Sequence, residues 1–455
     1  MGSCMSSLKS PSSIGRDGIN GAPISSSKRT WSFRKRSSRN GDDRMEEKNG
    51  GVSGMREREL RRISERMFLN GSSDVACVFT KQGKKGTNQD SMLVWENFGS
   101  SDDTIFCGVF DGHGPNGHSV ARKVRDLLPV KLSNEMKILT NDVLADLGLQ
   151  DELSSDEGNI NSVPNAYVSI GQYPDESCYI ADDDENFSEN YFTIRQSLLK
   201  AFDSMDKELE LRPSIDCYCS GTTAVTLVKQ GQELVIGNVG DSRAVLGYRD
   251  KDNSLIAIQL TVDLKPDLPG EAARIQQCQG RVFAMPDEPE VTRIWLPDSD
   301  GPGLAMARAF GDFCLKDYGL ISTPDITHRH LTDRDEFVVL ASDGVWDVFS
   351  NEQVVEIVAS APNHTKAAEI LIMSAVQEWR IQYPTSKIDD CTAVCLFVGE
   401  NPRQTKNSQM KNSYTGAARI DEITAEDEEW SALDGVTRVN SLLNIPRNDG
   451  RRRRL

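Results

Sequence analysis

TIFCGVFDGHG, residues 104–114, is an unbroken apolar run that ends in Asp111-Gly112, and EFVVLASDGVWD, residues 336–347, repeats the form with Asp343-Gly344. A continuous apolar run of this length, closed by a turn signal, reads as a strand buried on both faces whose carboxylate emerges where the strand stops. Glycine lets the backbone turn there and lets a carbonyl or ligand approach closely. Working outward, short runs rich in Val, Ile and Phe read as further strands over residues 76–80, 91–96, 222–228, 233–238, 243–248 and 392–398. Gly-Gln, Gly-Asp and Asp-Asn turns between Thr222 and Leu255 make these hairpins and meanders, so the sheets are expected to be antiparallel and the fold α+β.

Helical periodicity covers residues 119–137 and 191–211, where Ile194, Leu198, Phe202, Met205 and Leu209 share a face. A shorter helix opens at Pro269 and stops before Gly280. Residues 1–70 are rich in Ser, Gly and Arg and read as a disordered basic arm, with a short amphipathic helix sketched over residues 55–68. Residues 71–399 then read as one folded domain, interrupted at about 140–190 by an acidic insertion that carries 13 Asp and Glu from Asp142 to Glu189 and no Lys or Arg. Residues 400–455 form a polar tail ending in Arg451 to Arg454.

The net charge of −17 hides an asymmetry, since residues 1–66 sum to +7 and leave −24 for the remainder. So acidic a body repels nucleic acid phosphates and favours divalent cations and basic partners. Ten cysteines without a CxxC pair or interleaved His argue against zinc and for reduced, buried thiols. No apolar run reaches membrane-spanning length, and no secretory signal is expected.

A third carboxylate pair, Asp389-Asp390, stands before the strand TAVCLFV, and Asp90 in GTNQDSM also precedes a strand. Carboxylates gathered at strand ends repel one another and are costly to bury unless cations neutralise them. An oxygen-only donor set selects hard ions such as Mg2+, Mn2+ or Ca2+ rather than zinc.

The ordered set VFDGHG (109–114), SGTTA (220–224), VGDSRA (239–244), ARAFGD (307–312), ASDGVWD (341–347) and DDCT (389–392) resembles the type 2C, metal-dependent serine/threonine protein phosphatases, and KKGTNQD (84–90) with the N-terminal MGSC resembles plant members in particular. The resemblance implies a central sandwich of two antiparallel sheets flanked by helices, in α-β-β-α layers, with two Mg2+ or Mn2+ ions at one end. Asp111 would bridge both ions, Asp343 and Asp389 would complete the first, and the Gly112 carbonyl would bind the second. His113 matches the general acid, Asp90 belongs to the catalytic set, and Lys85 stands where many members grip phosphate with Arg. Two ions make a bridging water easier to deprotonate, so direct attack on a phosphoserine or phosphothreonine in a protein such as a kinase is the expected reaction.

Three departures qualify that pattern. Gln89 replaces a Glu beside Asp90, and Lys85 is a point charge where Arg makes a planar bidentate grip. A third ion is left open, because Tyr218 occupies one ligand position, with Asp216 two residues upstream and Asp347 in place. The competing expectation is a pseudophosphatase that keeps the fold as a binding module. Asp241, Arg243 and Asp312 read as scaffold, Trp346 as core, and His118, His328, His330 and His364 as surface residues. MGSCMS at the N-terminus fits N-myristoylation of Gly2 with a second acyl chain on Cys4, which places a monomer at the cytosolic face of the plasma membrane if acylated, and otherwise in the cytoplasm or nucleus.

Overall fold

A computed structural model describes residues 65–101, 103–146, 188–211 and 214–399. Two six-stranded sheets dominate it, and every pairing within them is antiparallel. The first runs β1 (Arg66–Met67), β4 (Ser91–Trp95), β5 (Thr104–Phe110), β8 (Ala224–Gln230), β9 (Glu233–Val239), β16 (Asp325–His330). The second runs β11 (Leu255–Gln259), β10 (Arg243–Arg249), β17 (Asp335–Ala341), β18 (Cys391–Phe397), β3 (Ala76–Lys81), β2 (Gly71–Ser72). Helices α1 (Gly117–Asp146) and α2 (Glu189–Leu211) cover the first sheet, and α6 (Asn351–Ser360) and α7 (Ala367–Gln382) cover the second.

Strand alternation builds three apolar layers. Along β5, Cys107 and Val109 face the other sheet while Phe106 and Phe110 face the helices, where Val124, Leu128, Ile194 and Phe202 meet them. Along β17, Val338 and Leu340 face the sandwich interior, and Phe337, Val339 and Ala341 face Val355, Leu371 and Trp379. Because both faces of these strands are covered, nothing in them alternates with polar residues, and the runs read as continuous hydrophobic segments. Each such fully buried side chain contributes about 1.5–3 kcal/mol, which lets the sandwich tolerate a cluster of buried acids at one end.

The antiparallel sandwich with flanking helices is as expected, and several local readings change. Arg66 and Met67 pair with Trp95 and Val94 as strand β1, so the ordered domain begins before residue 71 and no helix reaches Phe68. Residues 222–228 are not one strand: β7 (Gly221–Thr222) joins a small separate sheet, and β8 starts at Ala224. Residues 281–304, for which no strand is expected from sequence, form a three-stranded flap, β12 (Arg281–Met285), β13 (Glu288–Leu296) and β14 (Ser299–Leu304), with the rings of Phe283 and Trp295 stacked 5.0 Å apart. Helix α1 extends to Asp146, into the start of the acidic insertion. His328 is half-buried and bonds Glu233 at 2.5 Å, and His364 stacks on Phe397 at 3.8 Å. Trp346 is a core residue, its indole N–H donating to the Ala341 carbonyl. The arm before residue 65, most of the insertion and the tail after residue 399 lie outside the described residues.

Helix α3 (Pro269–Gln277) carries a buried carboxylate held between two arginines. Glu271, 5 % exposed, accepts from Arg274 at 2.6 Å and from Arg308 at 2.6 Å. Burial alone raises its pKa, yet the two guanidinium groups pull it below the ordinary Glu value. A carboxylate with a lowered folded-state pKa stabilises the fold above its unfolded-state pKa, and that contribution disappears as pH falls through the folded value. Glu271→Gln strands two cations and is expected to cost about 3 kcal/mol at neutral pH. Urea denaturation at pH 7 and pH 4 checks it: the deficit should shrink at the lower pH.

Candidate active site

The acids sit where strands of the two sheets end together. Asp111 follows β5, Asp90 precedes its neighbour β4, Asp343 follows β17, and Asp389-Asp390 precede its neighbour β18. Burial pushes the Asp111 pKa well up, and Asp90, Asp343, Asp389 and Asp241 push it further. Asp343 is raised by burial and by Asp389, Asp347 and Asp241, against the pull of Lys85. Asp90 is pushed up to about 7 by burial and by Asp390, although the Ser342 hydroxyl donates to it at 2.7 Å. Three acids raised together, each partly by neighbouring carboxylates, mark one region short of positive charge.

Two lysines supply part of it. Lys85 pairs with Asp389, and Lys265 pairs with Asp241 at 2.6 Å. Burial works against the Lys85 charge, but Asp389 and Asp343 outweigh it and raise its pKa. Among the described residues, no three His, Cys, Asp or Glu side chains close around a single point. Asp389 is engaged by the Lys85 ammonium and by the backbone N–H of Asp390. The donor set itself, carboxylates and the Gly112 carbonyl with no sulfur or imidazole among the acids, fits hard divalent ions.

The backbone around Asp111 is fixed by the Ser-Gly-Thr-Thr segment. Thr223 N–H and the Thr222 hydroxyl donate to the Asp111 carbonyl at 2.9 and 3.0 Å, and Asp111 N–H donates to the Thr223 hydroxyl at 3.0 Å. The loop before β4 is fixed by Asp390, whose carboxylate accepts from Gly83 N–H at 2.8 Å and Gln89 N–H at 2.9 Å. No feature of the sequence marks Asp390 as this clamp apart from its adjacency to Asp389.

Asp312 has more than a scaffold role. Its carboxylate meets His113 Nε2 at 2.5 Å, across 199 positions of sequence. Burial lowers the His113 pKa, but the charge and hydrogen bond of Asp312, helped by Asp241, raise it above the ordinary value. Asp312 is held at φ 48°, in the left-handed region that costs a non-glycine residue energy, with its N–H on the Ser220 carbonyl at 3.1 Å. A Cβ at Gly221 would overlap the Asp312 carboxylate and press on His113 Nε2, so only glycine fits beside the pair. His113 Nδ1 is buried without a hydrogen-bond partner. Asp241, read from sequence as a turn residue, is ion-paired to Lys265 and acts on Asp111, Asp343 and His113. Asp216 accepts from Tyr218 N–H at 3.0 Å, closing a local turn.

Gln89 has a use that a glutamate at this position lacks. Its side-chain N–H donates to the Gly114 carbonyl at 2.9 Å, which ties down the turn that carries Gly112 and His113. An ionised Glu has no donor for this bond. Gln89→Met, which keeps the length and removes the donor, is expected to lower kcat by about fivefold to tenfold with KM little changed. Steady-state kinetics check it, and a kcat within twofold of wild type would remove Gln89 from the positioning of the turn.

A family model described as "Protein phosphatase 2C" matches residues 165–381. The chain is 49 % identical to "Probable protein phosphatase 2C 33" of Arabidopsis thaliana, with 98 % of this chain and 99 % of that one covered. It is also 49 % identical to "Probable protein phosphatase 2C 66" of Oryza sativa subsp. japonica, over 86 % of this chain and 85 % of that one. Among solved structures, the fold is similar to a serine-threonine phosphatase 2C from Toxoplasma gondii, with a TM-score of 0.57 and 24 % identity over 73 % of this chain and 98 % of the other.

Proposed function

The chain belongs to the protein phosphatase 2C family, and from that premise we propose that it hydrolyses phosphoserine and phosphothreonine in proteins, kinases among them, by direct attack of water with two Mg2+ or Mn2+ ions. Asp111, Asp343, Asp389 and the Gly112 carbonyl would hold the ions. When bound, they make a water more acidic and offset charge on the phosphoryl oxygens. The observation that carries the reading is the His113–Asp312 pair beside the cluster of raised acids.

This chain's own residues account for the other half of the reaction. Asp312 fixes the imidazole through Nε2 and favours its protonated form, which leaves Nδ1 as the atom that gives a proton to the departing serine or threonine oxygen. Ser342 and Asp90 form a second buried polar pair next to the Asp111 carboxylate. No covalent phosphoenzyme is needed, because the attacking group is water. Lys85, paired to Asp389, would adjust the charge of the acid cluster and would meet a phosphoryl oxygen when that pair opens.

Hydrolysis of a phosphothreonine peptide by the purified full chain tests the reading. Phosphate release should require Mn2+ or Mg2+ and stop with chelator. A wild type that binds the peptide and never turns it over returns the chain to the binding-module alternative.

We also propose that Gly2 and Cys4 are acylated and bring the enzyme to the cytosolic face of the plasma membrane, because one chain alone binds membranes marginally and the pair supplies two signals. No helix among the described residues is long and apolar enough to cross a membrane. Gly2→Ala is expected to move the protein from the membrane to the supernatant fraction of cells, and unchanged partitioning would set acylation aside.

A further inference from the structure

Cys219 and Cys314 lie outside the chemistry described above, yet they touch. The Cys219 thiol donates to the Cys314 sulfur with the two Sγ atoms 3.3 Å apart, and both are free. Two backbone segments run side by side to bring them there: Cys314 N–H donates to the Tyr218 carbonyl at 2.9 Å, Phe313 N–H to Cys217 at 3.3 Å, and Asp312 N–H to Ser220 at 3.1 Å. Cys219 is half-buried beside Tyr218, which is 63 % exposed, while Cys314 is 5 % exposed. Cys219 is therefore the more accessible residue of the pair, and the Cys314 sulfur is already in contact with its own.

We propose that Cys219 and Cys314 are an oxidisable dithiol that hydrogen peroxide closes to a disulfide, switching the enzyme off by disturbing the His113–Asp312 pair. The consequence for activity rests on the phosphatase reading, whereas disulfide formation itself does not. The Cys219 thiolate attacks one peroxide oxygen, the O–O bond breaks, and hydroxide leaves, giving a sulfenic acid. The Cys314 thiolate then attacks the Cys219 sulfur, the S–O bond breaks, and a second hydroxide leaves. Two thiols have lost two electrons and two protons, and the peroxide has become two waters. Burial pushes the Cys314 thiol pKa up, and Cys219 and Asp312 push it further, so the second step is the slow one and accelerates as pH rises.

The pair is placed to matter. Cys219 immediately precedes Ser220-Gly221, and Cys314 stands two residues after Asp312. Bringing the sulfurs from 3.3 Å to a bond of about 2.05 Å fixes both side chains in disulfide geometry and pulls on the two segments that carry them. Gly221 has no slack to absorb the movement, since it already packs directly on Asp312 and His113. The Cys219 carbonyl likewise packs on Gly114, next to His113. Cys77 and Cys395 are also neighbours, across β3 and β18, but both are buried in the core and serve as an internal comparison.

The full-length reduced chain, treated with hydrogen peroxide, alkylated and digested, should yield a Cys219–Cys314 cross-linked peptide about 2 Da lighter than its two halves. Hydrolysis of the phosphothreonine peptide should fall about tenfold or more and return with dithiothreitol. Cys219→Ser, at the half-exposed position, should fold as wild type and keep its activity through the same treatment; Cys314→Ser should do so where thermal denaturation shows it folded. Absence of the cross-link overturns the proposal, and so does a Cys219→Ser variant that is inactivated like wild type. Reduced wild type without activity would contradict the phosphatase reading instead, and the peptide map would still decide the dithiol.

Discussion

Asp111→Asn is expected to lower kcat/KM on a phosphothreonine peptide by about a thousandfold, or about 4 kcal/mol of transition-state stabilisation, while making the metal-free protein harder to unfold. Both effects follow from one carboxylate. Asp111 is buried, and Asp90, Asp343, Asp389 and Asp241 all oppose its charge. An acid whose folded-state pKa is raised binds a proton more tightly folded than unfolded, so it destabilises the fold at neutral pH and the penalty fades toward acid. Asparagine keeps the shape and removes the charge. In chelator at pH 7 the variant should therefore be more stable by about 1 kcal/mol or more, as expected for sites that trade stability for function. Excess Mn2+ should reverse the order, because a ligand that binds only the folded state stabilises it and the wild type binds more tightly. Thermal denaturation with and without Mn2+ checks the crossover. A variant less stable than wild type in chelator would mean that the neighbouring lysines already neutralise the cluster.

The same burial explains what the sequence reveals. Strands β5 and β17 are legible because both faces are covered, so the apolar run is continuous and its abrupt stop at Asp-Gly is conspicuous. The acids are legible because Asp111 and Asp343 lie at such a stop and Asp90 and Asp389 lie just before the start of a strand. Helices α6 and α7 are hidden for the complementary reason: α7 buries Ala367, Ala368, Leu371, Ile372, Ala375, Val376 and Trp379, a broad face that blurs the helical period. A capping box in which the Ser350 hydroxyl accepts from Gln353 N–H and the Gln353 side chain accepts from Ser350 N–H was the available signal for α6. The flap strands are mostly half-exposed or exposed, and they are held by one ring stack, by ion pairs of Arg281 and Arg293, and by Ile294 and Leu304 packing with Ile275 and Leu315, contacts that no local pattern announces. Asp312 reads from sequence as scaffold, and its pairing with His113 escapes that reading. Its neighbours suggest a turn, and its partner is defined only once the fold brings β6 (Gly112–His113), β7 and β15 (Phe310–Gly311) together as the small third sheet.

Asp312→Asn is accordingly the substitution that separates a turn residue from a positioning residue. Asparagine preserves the size and can still bond His113 Nε2, but it removes the charge that raises the imidazole pKa. With that support gone, less of His113 is protonated at neutral pH, and the fall in activity on the alkaline side should begin at a lower pH than in wild type. On phosphothreonine, whose alkoxide is a poor leaving group and needs the proton, kcat is expected to fall about a hundredfold. On an aryl phosphate such as p-nitrophenyl phosphate, whose leaving group departs without a proton, the loss should be about tenfold smaller. His113→Ala should show the same split between substrates, and combining it with Asp312→Asn should add little, because the two side chains act as one unit. A purely structural Asp312 would depress both substrates equally and leave the pH profile where it was.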